Sequence, residues 1–448
     1  MDTKDHDLMS RMKISRAVAT MAVPSVISSL VTVVYNMADT FFVGQTGDPL
    51  QVAAVSLTNP IFILFMAGAN MFGMGGSALA SLALGGQDQH RMKQVSAFIT
   101  YASLVVGILF AGMLLGFMQP ILTVFGANEE TYAFAKGYVF HISYGAPFVI
   151  WSAAASFVVR SEGASKEAMI GSMIGTIANI ALDPILISGF HLGAAGAAVA
   201  TTLGNILASV YYFWYFIRKS DNFSISPRYF TCKNGILSGI CSCGLPTAIF
   251  STLMSVSTII LNQLLVVYGN APVAAIGIVF KVNMFITFLQ MGLANGVQPL
   301  LGYNFGSGDR ERFQKIAVYT RKCCVVIGVM ATLLFFMLRR QIIGLFIQDQ
   351  VVIGYGVKML LAYMVSGPVI GILFMNMNCM QSVGKAFWAT ILSILRQGLL
   401  LIPLLFLLNA LGGLDGVIYG QSLADYISVI LSIVLWRKCK TYNSARKS

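Results

Sequence analysis

The 448-residue chain is 57% hydrophobic and only 10% charged, with a formal net charge of +12 and a mean hydropathy of +0.77. Apolar stretches long enough to cross a bilayer recur from end to end, which excludes a soluble globular class and predicts a polytopic helical membrane protein. The runs are continuous rather than alternating, so a β-barrel is excluded as well.

The first residues, "MDTKDHDLMSRMKISR", are polar and lead into a full-length span without a small-residue cleavage site, so this start is expected to be retained. Twelve spans follow, at about 17–38, 53–80, 95–118, 131–158, 168–189, 193–217, 237–262, 274–303, 315–338, 355–380, 386–409 and 413–436. Lys and Arg accumulate in cytoplasmic segments of membrane proteins. With the N-terminus inside, 23 of the 29 Lys and Arg fall on the inside, five of them in the C-terminal tail. Lys136, Arg339, Arg340 and Lys358 fall outside, and Lys281 and Arg396 lie within spans. The expected protein is therefore multi-pass in the cell (inner or plasma) membrane, with both termini cytoplasmic. Its basic residues are dispersed among loops, which argues against a nucleic-acid partner.

The seven Cys (232, 241, 243, 323, 324, 379 and 439) map to spans or the inside, against a disulfide framework. Cys241-Ser-Cys243 and Cys323-Cys324 lack accompanying His or carboxylates, so metal binding there is a weak reading beside ordinary packing. No zinc-protease pattern, paired-carboxylate hydrolase or phosphate-binding loop is present, so no enzyme, no cofactor and no ATP-driven pump are expected.

An internal repeat organises the chain. Pro24 in "VPSVISSL" lies 222 residues before Pro246 in "LPTAIFSTL", and "VAAVS" at 52–56 lies 221 before "VAAIG". "GGQDQHR" at 85–91 precedes "GSGDRER" by 221, as Pro147 does Pro368 and Gly163 does Gly384. Pro184 pairs with Pro403 at 219, and Gly193 and Gly196 with Gly413 and Gly416 at 220. Six spans per copy, an even number, give both copies one orientation. The expected fold is all-α, with twelve transmembrane helices in two pseudo-symmetric six-helix bundles: an N-lobe over 1–217, a cytoplasmic connector over 218–234 and a C-lobe over 235–448.

The repeat also separates scaffold from chemistry. The Pro and Gly landmarks recur, whereas the embedded charges do not: Asp39 corresponds to Ile260 or Leu261, Asn179 to Gly398 and Asp183 to Ile402. Lys281 corresponds to Pro60, Arg396 to Ile177 and Asp425 to Asn205. A lobe is built without the acidic pair, which makes Asp39 and Asp183 candidates for function. Asn179 and Asp183 are i, i+4 and share a helix face, and Pro184 opens the backbone hydrogen bonds of the preceding turn. Thr201 lies about two turns into the next span, near the depth of Asp183. Carboxylate, amide and hydroxyl oxygens suit a hard cation such as Na⁺, and a carboxylate in so apolar a place can instead carry a proton. Plainer readings stand beside these. Asp39 suits a solvated cap near a span end, Asp183 a hydrogen-bond node at the Pro-disrupted turn, and Lys281 and Arg396 structural pairing with Asp425. Thr201 alone would mean little, since membrane Thr mostly bonds its own backbone.

Two six-span repeats, "VYNMADTFFVG" closing span one, "GGQDQHR" after span two, and "NIALDPILI" followed by "GAAGAAVATTLGN" together resemble the MATE (multidrug and toxic compound extrusion) family, in its MepA-like and DinF-like bacterial branch. The resemblance implies a monomeric antiporter that exports amphipathic, often cationic drugs by alternating access as Na⁺ or H⁺ moves inward, and so a role in antibiotic resistance. Carried over by motif, the family's N-lobe cation site falls on Asp39, Asn179, Asp183 and Thr201. The NorM-like branch also uses acidic residues in spans seven and ten, whereas here "LPTAIFSTLMSVSTIIL" and "PVIGILFMNMNCMQSVG" carry none, so coupling is expected to rest on the N-lobe.

Asn36, Lys281, Arg396, Met66, Met71, Asn376 and Met377 are candidates for gating or for lining the substrate cavity. Flexible thioethers accept ligands of varied shape and aromatic faces hold organic cations, although core or lipid-facing packing explains any single Met as well. A flippase for a lipid-linked precursor shares the two-bundle plan and is the alternative. It would call for more basic residues than Lys281 and Arg396 to meet a pyrophosphate.

Overall fold

Hydrocarbon offers no partners to backbone amides, so apolar stretches of this length must close their hydrogen bonds internally as helices. The computed structural model describes residues 3–45, 48–125 and 127–444; Arg446 and Lys447 of the basic tail lie outside them. A short helix, α1 (Thr3–Ser10), precedes the N-lobe helices α2 (Ile14–Gly44), α3 (Pro49–Gly85), α4 (Gln89–Gly116), the short α5 (Met118–Val124), α6 (Glu129–Ser161), α7 (Ser165–Pro184) and α8 (Gly193–Arg218). The C-lobe follows with α9 (Ile236–Val266), α10 (Asn270–Gly306), α11 (Arg310–Gly344), α12 (Gln350–Val365), α13 (Gly367–Ser382), α14 (Ala386–Ile394) and α15 (Leu401–Ser444). A π-helical turn, Ile185–Gly189, continues α7, and another, Leu395–Leu400, joins α14 to α15.

One departure from the expected spans has a local cause. Span ten is broken: α12 and α13 meet at a 46° bend. Pro368, in the first turn of α13, has no N–H to give and clashes with the preceding turn. Side chains of neighbouring helices satisfy the carbonyls left free there. Thr332 Oγ1 donates to Met364 O at 3.1 Å, Tyr426 Oη to Val365 O at 2.9 Å, Gln290 Nε2 to Gly367 O at 2.7 Å, and Ser422 to Ala362 O. Spans eleven and twelve share the apolar stretch Ala386–Cys439, 54 residues long and too long for one bilayer crossing. Gly413, with φ 56° and ψ −136°, breaks it in two. With the bent pair counted as one, the described residues make twelve crossings.

The repeat is visible in three dimensions. Gly193 and its mate Gly413 have φ of 54° and 56°, a region open to glycine, and mates Gly163 and Gly384 also lie at positive φ. Asp88 and Asp309 cap equivalent helices by accepting from the N–H of Arg91 and Arg312, at 2.9 and 2.8 Å. Gly107 seats the backbone of Pro147 just as Gly328 seats Gly367 and Pro368.

The face at which the described chain begins and ends is termed proximal. The lobes meet through the proximal halves of four helices, and glycines let the backbones touch. A side-chain carbon on Gly244 of α9 would run into the Met71 backbone of α3, and one on Gly75 into the Ile240 carbonyl. Gly292 and Gly296 of α10 press on Ala22, Ser25 and Val26 of α2, and Gly306 presses on Leu82. One buried hydrophobic cluster spans both lobes through this seam. A second is confined to the C-lobe residues 261–286, 343–364 and 401–424, farther from the proximal face.

Crossed segments close the proximal face. Asn304 Nδ2 and Arg312 Nε of the C-lobe donate to the carbonyl of Met9, at 3.1 and 3.3 Å, and Arg312 Nη2 donates to Met12 O at 2.6 Å. The segment ahead of α9 docks in turn on the N-lobe: Tyr101 Oη donates to Ile225 O at 2.7 Å, and Ser96 exchanges two 3.0 Å hydrogen bonds with Ser224. Each lobe is thus entered through a strap held by the third span of the other.

If the seam is as tight as this, Gly244→Ala should cost about 1–3 kcal/mol through overpacking against a backbone that cannot yield. Gly112→Ala, where nothing lies within 4 Å, should hold or gain stability from better helix propensity. Thermal melts of the detergent-purified variants decide it; equal melts would mean the lobes do not close on Gly244.

Candidate cation site and central cleft

The N-lobe site is set by a glycine contact between α7 and α8. Gly175 and Gly204 face each other with their backbones in contact, and Gly204 also touches Cβ of Asn179. This brings Asn179 within hydrogen-bond reach of Thr201, whose Oγ1 accepts from Asn179 Nδ2 at 3.2 Å and shares a 3.3 Å hydrogen bond with Tyr35 Oη of α2. Asn205 Nδ2 donates to the Thr201 carbonyl at 2.8 Å, and Ser152 Oγ of α6 donates to Asn205 Oδ1 at 3.0 Å. Four helices therefore hold the Asn179 amide with its oxygen free.

Asp183 lies one turn further along the same face, fully buried at 0% exposure, with Asn179 at 3%. Both carboxylate oxygens of Asp183 and Oδ1 of Asn179 are sealed from solvent and find no hydrogen-bond donor among the described residues. Asp39, half-buried on α2, is close enough to act on Asp183 electrostatically, and Tyr35 and Tyr138 sense both carboxylates. Pro184 and the π-helical turn after it follow directly, a local irregularity of the kind found at functional sites. Buried acceptors are normally paired, and an orphan costs about 1–3 kcal/mol, more when charged. Three together, beside a second carboxylate, describe a place for positive charge. No group of three His, Cys, Asp or Glu occurs among the described residues, so the donor set suits a hard monovalent cation or a proton rather than a transition metal.

Of the four residues expected from the sequence, Asn179, Asp183 and Thr201 come together here and Asp39 lies on the neighbouring α2; the Thr201 hydroxyl also bonds Asn179 and Tyr35. Tyr35, Tyr138, Asn205 and Ser152 were missed. Tyr35 precedes Asp39 by one turn on α2, a detectable signal, whereas Tyr138 and Ser152 come from α6, whose rotation is not readable from its evenly apolar sequence.

The C-lobe uses the equivalent place differently. Gln421 and Asp425 are the mates of Thr201 and Asn205, 220 residues on. Asp425 Oδ1 accepts from Gln421 Nε2 at 3.0 Å and from Arg396 Nε at 2.8 Å. The guanidinium, carried on the second π-helical turn, lies over the rings of Phe250 and Phe374 at 5.2 and 5.6 Å. Arg396 is thus sequestered in a buried, neutral pair with Asp425, and Lys281 does not join it. Asn376 and Met377 also depart from cavity-lining positions. Asn376 is 1% exposed, accepting from Arg321 Nε at 2.9 Å and donating to Ser432 Oγ at 2.9 Å. Met377, with Met375 and Met380, is packed in the core. Met66 and Met71 are partly buried against the shared core, Asn36 is half-buried and Lys281 exposed.

The MatE family profile matches residues 24–185 and again 246–407, two stretches offset by 222 residues like the repeat. The chain is 36% identical over 414 residues to the multidrug export protein MepA of Staphylococcus saprophyticus, covering 92% of this chain and 91% of that one. It is 33% identical over 434 residues to MepA of Staphylococcus aureus, covering 96% of each. Among solved structures, an outward-facing multidrug resistance MATE family transporter of the MOP superfamily superposes with a TM-score of 0.93, and a MATE in the bent conformation with 0.92. Both are 24% identical, and the first covers all of both chains. Two profile matches spanning both bundles, and curated relatives aligned over nearly the whole length, show that this chain belongs to the MATE family, on its MepA-like branch.

Proposed function

We propose that this protein is a multidrug efflux antiporter of the cell membrane. It exports amphipathic, often cationic organic compounds by alternating access, driven by inward movement of Na⁺ or H⁺ bound at Asp39, Asn179 and Asp183 and positioned by Thr201. The observation that carries this reading is the group of three buried, donorless oxygens on Asp183 and Asn179, in a chain whose relatives are multidrug export proteins. The proximal face is cytoplasmic, both termini lie there, and the monomer is the working unit.

Coupling follows from the two faces of α2. One face meets the site through Tyr35 and Asp39, while the adjoining face carries Ala22, Ser25 and Val26 against α10 of the opposite lobe. A cation that draws α2, α7 and α8 together therefore acts on the lobe seam as well. Occupancy favours one state of the seam only to the extent that the ion binds the two states differently. Drug released to the outside and ion admitted from it then alternate through this shared conformational energy.

Ethidium efflux from proteoliposomes, with a Na⁺ gradient and a pH gradient imposed separately, should respond to one of them. In Asp183→Asn it should fall to the level of protein-free vesicles; normal transport by that variant would refute the site. A binding measurement separates ion loss from misfolding. Wild type should melt later with its coupling ion present, by about 2.7 kcal/mol at a hundredfold excess over Kd. Asp183→Asn should fold with no such response, because the C-lobe places Ile402 at the equivalent position.

A further inference from the structure

Lys281 is the embedded charge that neither the cation site nor the Arg396–Asp425 pair absorbs. It lies eleven residues from the start of α10, about 16 Å along the helix, and has no hydrogen bond or ion pair among the described residues. Its helical phase places it. Gly292 of the same helix touches α2 of the N-lobe, and eleven residues make close to three whole turns, so Lys281 looks the same way. It does so beyond the point where the lobes' shared core ends. Phe285 and Phe288 continue the stripe between them, both half-buried. A side chain built on Gly277, one turn beyond Lys281, would meet nothing within 4 Å. An unpaired ammonium at this depth is tolerated toward a watery cleft and not toward lipid. The α2 face opposite, continued outward from Ser25 and Ser29 at helical spacing, reaches Asn36, with Asp39 on the adjoining face. The cleft is thus polarised, with the half-buried Asp39 carboxylate beside its N-lobe wall and an ammonium on its C-lobe side.

We propose that Lys281 is a specificity-determining residue that receives the anionic group of zwitterionic, carboxylate-bearing amphiphiles, while Phe285 and Phe288 hold the apolar body and the N-lobe wall faces the cationic end. This deepens the efflux reading and rests on it. A cation without the carboxylate meets Lys281 as a like charge and gains nothing there.

Rhodamine 110 and rhodamine 123 differ only in that the first has a free carboxylate where the second has a methyl ester, so they form a matched zwitterion and cation. Equilibrium binding of each dye to the purified full-length protein, and its export from proteoliposomes, would be measured for wild type, Lys281→Ala and Lys281→Arg. Lys281→Ala is expected to weaken rhodamine 110 about tenfold and to strengthen rhodamine 123, with Lys281→Arg restoring the wild-type order. A merely structural role would move both dyes the same way. Parallel changes, no change, or no binding of rhodamine 110 to wild type would each overturn the proposal. Selective binding without export of either dye would support Lys281 while refuting the efflux reading.

Discussion

A carboxylate and an amide oxygen held in the dry interior of a membrane protein, with no donor in reach, cost free energy that the fold must offset elsewhere. At Asp183 and Asn179 the restraint is local and rigid. The glycine contact between α7 and α8 brings the backbones too close for either helix to rotate away, and Thr201, Tyr35, Asn205 and Ser152 fix the one amide that could otherwise turn its N–H inward. Pro184, next to the carboxylate, has no N–H to donate. The site is therefore short of positive charge by construction, and it sits beside the helix that bears on the other lobe.

The C-lobe clarifies what the scaffold itself requires. Many of its landmarks match those of the N-lobe, down to positive-φ mates such as Gly193 and Gly413, and the same spot inside each bundle is polar. In the C-lobe an arginine fills that spot and closes on Asp425, stacked against Phe250 and Phe374. A buried ion pair of this kind satisfies itself and gives little reason to bind anything. The N-lobe lacks the arginine and so retains unmatched acceptors. The charges placed at this spot in the two bundles separate a satisfied ion pair from a set of unmatched acceptors.

Much of this was legible in the residue order. Span number, the repeat, the Pro and Gly landmarks and the residues Asp39, Asn179, Asp183 and Thr201 all follow from hydropathy, spacing and the cost of a charge in hydrocarbon. The break of span ten was not legible, because its mate Pro147 lies in an unbroken helix, α6. The difference comes from neighbours. Thr332, Tyr426, Gln290 and Ser422 supply the donors that make an open turn tolerable at Pro368.

Residue order determined by itself which groups lie too deep in the membrane to be there without a purpose, because transfer from water to hydrocarbon depends on chemistry and depth alone. Tertiary structure decided which of those groups are answered by a partner. Arg396 finds Asp425, whereas Asp183 finds no donor and Lys281 no counter-charge among the described residues. Pairing depends on the rotation of each helix about its axis and on close approach at glycines. In spans apolar on every side, neither is written in the periodicity of the chain.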